Sequence, residues 1–232
     1  MPPTGLPPVE MRRQRGYRVA NALSYVLNPL VLPPVGFGLV QWHLGAGALE
    51  IAWTVAVSLL FFCLVPLLYV VDMVRTGRAE SLEVRDRASR LRPFLVGIVS
   101  YLTGMAVLGV TVDTAKALIL SIAALFPVNT LLLLLINLRW KISIHMATMA
   151  GFVSILLFVA LTVWRGLPAD WEAALTAATV SPLLLLLPLL MWARVRVRAH
   201  TPGQVLGGAA FGLLAPLAEL YVLVYHVLDL AG

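Results

Sequence analysis

Three short stretches of this chain hold residue types suited to phosphate chemistry: Arg85-x6-Arg92-Pro93, Ser143-x-His145 and Arg194-x5-His200. Phosphoryl transfer needs positioning and neutralisation of oxygen charge, which arginine's planar fork supplies. Two histidines can divide the remaining work, one imidazole as nucleophile and the other as acid for the leaving oxygen. Ser143 and Lys141 precede an apolar run that begins near Ile144. A helix starting there would offer unpaired N–H groups and its positive dipole end to an anion.

Each feature also has a plainer structural reading. The loop from Arg75 to Arg92 carries Arg85, Arg87, Arg90 and Arg92 among its six arginines, and such loops also meet anionic lipid head groups. Ser143 could cap its helix, and a histidine such as His200 could anchor at a membrane interface. Grouping tilts the balance. Of four histidines, His145 and His200 fall on the Arg-rich face, with His43 and His226 near the opposite one. The two can meet only if the start of the fifth apolar run and the approach to the seventh are neighbours.

The elements that must position these residues are membrane helices. The chain has 232 residues, 60% hydrophobic and 12% charged, against about 25% charged in soluble domains. Such a surface suits lipid, not water. Seven apolar runs near 19–42, 49–74, 94–112, 117–138, 144–164, 174–193 and 204–230 approach the roughly 20 residues a crossing requires. In lipid each run satisfies its backbone best as a helix. The expected fold is therefore all-α, a polytopic bundle of six to seven transmembrane helices. Residues 1–18 read as an Arg/Pro-rich arm and 19–232 as one domain. Pro29, Pro33 and Pro34 should kink the first run, while Asp113 and Lys116 mark a tight turn between the third and fourth. The single Cys63 lies in an apolar run and implies no disulfide.

With seven spans, the arm and the loops at 75–93, 139–143 and 194–203 share one side, which holds 15 of the 17 Lys and Arg. Removing Arg85, Arg92, Lys141 and Arg194 as phosphate ligands still leaves 11 against 2. Positive-inside bias then makes this face cytoplasmic.

Taken together, the stretches resemble the signature of the type 2 phosphatidic acid phosphatase family, which shares its core with vanadium haloperoxidases. That signature reads K-x6-R-P, P-S-G-H and S-R-x5-H-x3-D. Here arginine replaces the lysine at Arg85. Serine and histidine remain in Ile142-Ser143-Ile144-His145, and Ala193-Arg194-x5-His200-x3-Gln204 closes the set. The resemblance covers roughly residues 70–215 and points to a divergent integral-membrane branch. Asp86-Arg87-x2-Arg90-x2-Pro93 offers a second register for the first part.

The resemblance implies that His200 attacks phosphorus, His145 protonates the leaving oxygen, and Arg85, Arg92, Arg194 and Ser143 hold the non-bridging oxygens, with Lys141 as a further ligand. It implies neither metal nor other cofactor. The expected substrate is a phosphorylated lipid or prenyl (di)phosphate, with membrane lipids and no nucleic acid as partners. Gln204 stands where the family carries the aspartate that orients its nucleophile, and an amide carbonyl accepts the imidazole N–H without neutralising imidazolium. Two alternatives follow: a catalytically weak lipid-head-group binder or transporter, and a lipid phosphotransferase. Elsewhere, Glu219 is a carboxylate within the last run. Gly203-x3-Gly207 and Gly208-x3-Gly212 favour close helix contact.

Overall fold

A computed structural model describes residues 14–27, 32–82, 84, 88–163 and 169–227. Those residues form one 3-10 turn, Ala88–Arg90, and eight longer helices: α1 Arg15–Val26, α2 Leu32–His43, α3 Ala48–Arg75, α4 Leu91–Thr111, α5 Lys116–Asn137, α6 Ile144–Val163, α7 Ala169–Arg196 and α8 Pro202–Val227. No strand occurs among the described residues. Among the described residues, five helices (α3, α4, α5, α6 and α8) are long and apolar enough to cross a membrane. The chain is a helical, integral membrane protein.

The first expected span, 19–42, is corrected. It is two helices of 12 residues each, α1 and α2, each about 18 Å long and too short for a 30 Å hydrocarbon core. Pro33 and Pro34 lie in the first turn of α2 as described, a position that tolerates a missing N–H; Pro29, with the rest of 28–31, lies outside the described residues. α1 begins at Arg15, inside the segment read as an arm; residues 1–13 lie outside the described residues.

Contacts divide the chain into two units, 1–29 with 140–217 and 30–139 with 218–232. In the second unit, α3 widens into a π-helical segment over Leu59–Leu64, just before Pro66. A proline at this point cannot donate to the carbonyl five residues back, Phe61. Ser100 on α4 supplies the missing donor, its Oγ donating to Phe61 O at 2.6 Å. Gly104, one turn along, admits the Phe61 and Phe62 side chains, which an added Cβ would meet at 2.6–2.7 Å. Phe62 then packs on Phe37, Tyr101 and Phe126 with centroids 5.0–5.4 Å away.

The α4–α5 hairpin closes as the sequence implies, with Lys116 bridging to Asp113 at 3.4 Å. Ala115 takes the left-handed conformation at φ 52°. Glu50 on α3 fastens the turn, accepting Asp113 N–H and Thr114 N–H at 2.9 and 2.8 Å and the Thr114 hydroxyl at 2.7 Å.

In the first unit, α6 is apolar and buried around most of its circumference, as expected for a helix without a polar face. The glycines of α8 let it lie directly against α6. A Cβ on Gly208 would stand 2.5 Å from Ser143 O, and one on Gly212 would stand 2.1 Å from Ala147 O. Gly207 faces the Trp140 ring, whereas Gly203 meets nothing within 4 Å. Only three of the four glycines are therefore held by packing. We predict that Gly212→Ala destabilises the protein by about 1–3 kcal/mol through overpacking, read as a lower Tm in detergent, while Gly203→Ala leaves Tm unchanged. Equal Tm values for the two variants would contradict this packing.

Candidate functional site

The first unit brings the second and third stretches together. Ser143 immediately precedes α6, and its carbonyl accepts Ala147 N–H at 3.0 Å. Its own N–H donates to Gln204 O at 3.1 Å, so the start of α6 lies beside the start of α8. This is the adjacency that a pairing of His145 and His200 requires. His145 sits half-buried in the first turn of α6, and Lys141 is half-buried just before it. Ser143, His200 and Gln204 are all buried.

Gln204 organises the start of α8. Thr201-Pro202-Gly203-Gln204 is a capping box: Thr201 N–H donates to Gln204 Oε1 at 3.2 Å, and Gln204 N–H donates to Thr201 Oγ1 at 3.4 Å. A backbone N–H can only donate, so the Gln204 atom facing it must be the carbonyl oxygen. The same oxygen lies 3.2 Å from His200 Nδ1. His200 Nδ1–H is therefore the donor, and in the neutral ring Nε2 carries the lone pair. The tautomer follows from the capping box. Gln204 has the orienting place that the resemblance implies, without the charge.

The Ser143 hydroxyl departs from its plainer reading. Ser143 is fully buried, and its Oγ has no hydrogen-bond partner. It does not cap α6 through its side chain. A buried hydroxyl without a partner costs about 1–3 kcal/mol, and Thr54 and Ser58 carry the same cost elsewhere in the chain. Arg194, in the last turn of α7, is buried to 2% exposure and donates from Nη1 to Ser24 Oγ on α1 at 3.1 Å.

The first stretch belongs to the second unit. Arg85 and Arg87 lie outside the described residues. Arg92 is exposed at the start of α4. Arg90 is buried, with Nε donating to Val84 O at 2.8 Å and Nη1 to Asn137 Oδ1 at 3.1 Å. Its guanidinium ties the loop at Val84 to the end of α5. Glu219, also in this unit, accepts from Asn129 Nδ2 at 2.6 Å, the hydrogen-bonded arrangement an intramembrane carboxylate needs.

Sequence reasoning passed over Ser24, Thr201 and Asn137. Thr-x-x-Gln before an apolar run is a legible capping signal; Ser24 and Asn137 carry none. No family model, curated protein or solved structure matches this chain.

A serine that caps a helix through its side chain loses about 1 kcal/mol on replacement by alanine. Because the Ser143 hydroxyl has no partner, Ser143→Ala should leave thermal stability unchanged or slightly raised. A Tm drop like that of a lost cap would refute the assignment.

Proposed function

We propose that this chain is an integral membrane lipid phosphatase, hydrolysing a phosphomonoester or diphosphate of a lipid or prenyl substrate through a phosphohistidine. The reading includes a six-span core like that of the type 2 phosphatidic acid phosphatase family and a site on the cytoplasmic face. What carries it is the His200 tautomer fixed by Gln204, beside the start of a helix that holds an unpartnered serine hydroxyl.

In this reading His200 Nε2 attacks phosphorus and the bond to the leaving oxygen breaks. His145, protonated, gives its proton to that oxygen, releasing an alcohol from a monoester or a lipid monophosphate from a diphosphate. His145, now neutral, takes a proton from water as the water attacks the phosphohistidine; inorganic phosphate leaves and His200 is regenerated. Ser143, the first-turn N–H groups of α6, Arg194 and Lys141 hold the phosphoryl oxygens. Gln204 keeps His200 in the reactive tautomer, while its neutral carbonyl leaves the charge developing on the ring uncompensated. That lowers the rate relative to a carboxylate.

Purified protein in detergent micelles is expected to release inorganic phosphate from a panel of lipid phosphates and prenyl diphosphates. His200→Ala should reduce release to background, and His145→Ala should lower kcat about 10²–10⁴-fold, the usual range for a general acid. Gln204→Glu keeps both accepted hydrogen bonds and adds charge, so kcat should rise. Equal background from the wild type and His200→Ala would sink the hydrolase reading in favour of a lipid-head-group binder. Phosphate appearing only on an added lipid acceptor would indicate transfer.

A further inference from the structure

We infer that Ser24, on the N-terminal helix α1, is a positioning residue for the phosphate-holding guanidinium of Arg194. The inference rests on the proposed phosphatase reading and extends its site to an element outside the three sequence stretches. Arg194 and Ser24 are exposed by only 2% and 1%, and Arg194 Nη1 donates to Ser24 Oγ at 3.1 Å. Burying a guanidinium costs free energy unless its donors are met, and here α1 meets one of them. The bond aims the fork. With Nη1 committed to Ser24, rotation about the long side chain is limited and the remaining N–H groups keep one direction.

The rest of α1 is built to hold Ser24 in place. Tyr17, Ala20 and Ser24 recur at helical spacing on its buried face. The two apolar residues pack with Ala193, Val197 and Ala199 from the end of α7 and the residues after it. Small residues on both sides permit close approach. Gly16 reinforces this, since a Cβ there would lie 3.5 Å from the Arg196 guanidinium. Arg196 Nη2 in turn donates to Gln14 Oε1 at 3.1 Å. The helix is fastened to α7 near both ends, at Gln14 and at Ser24, and the second fastening is the one that touches a candidate phosphate ligand.

A residue that aims a ligand for a phosphoryl group bound equally in ground and transition states alters KM more than kcat. Phosphate release by the full chain should therefore show Ser24→Ala raising KM about tenfold, the scale of a lost hydrogen bond to a charged group, with kcat retained. The Ki of inorganic phosphate as product inhibitor should rise in parallel. Ser24→Thr, which keeps the hydroxyl, should restore both values. In an Arg194→Ala background, Ser24→Ala should add nothing to KM, because the group it aims is gone. An unchanged KM for Ser24→Ala in an active protein overturns the inference and leaves the phosphatase reading standing. An effect of equal size in the Arg194→Ala background also overturns it, assigning Ser24 to packing alone. A wild-type protein that releases no phosphate removes the phosphatase reading and this inference with it.

Discussion

One oxygen atom, Gln204 Oε1, sets the geometry on which the site depends. It accepts Thr201 N–H and so completes the cap of α8, and it accepts His200 Nδ1–H and so fixes the imidazole. The backbone carbonyl of the same residue accepts Ser143 N–H and holds the start of α6 alongside. A capped helix, an oriented histidine and a helix-to-helix contact are thus met at a single residue. None of the three bonds is short, so the arrangement relies on their acting together. The glycines of α8 make it sterically possible, because any side chain at position 208 would press on the Ser143 carbonyl.

The polar groups around this point lie in a water-poor setting. Ser143, Arg194, His200 and Gln204 are all buried, and interactions with a phosphoryl group are stronger where water is excluded. The same burial makes unmet polar groups costly. That tension explains why Arg194 is supported by Ser24. In the other unit several polar side chains do structural work, although Gln41, Thr54 and Ser58 are buried with side-chain atoms that have no hydrogen-bond partner. Ser100 serves the carbonyl that the π segment leaves behind, Glu50 fastens the α4–α5 turn, and Arg90 braces a loop.

Much of this was legible in the chain because membrane helices announce themselves by composition and length. The α4–α5 turn, the start of α6 at Ile144 and the close packing at Gly208 and Gly212 followed from local patterns. The first expected span failed for a local reason too. Its hydropathy is continuous, and a window average cannot distinguish one long helix from two short ones. The adjacency of Ser143 and Gln204 was readable only as a requirement, since sequence spacing does not say which helix ends are neighbours. Ser24 was invisible, because a lone serine 170 positions from its partner has no pattern of its own. Arg90 shows the opposite limit: its spacing suits a phosphate ligand, yet its guanidinium is spent on Val84 and Asn137.

The claim that His200 Nε2 is the nucleophile has a direct chemical consequence, a covalent phosphohistidine. Protein mixed with a ³²P-labelled lipid phosphate, quenched with denaturant at alkaline pH and digested, should yield one base-stable, acid-labile label on the peptide containing His200, absent from His200→Ala. Turnover without that label, or with the label on another residue, would contradict the account.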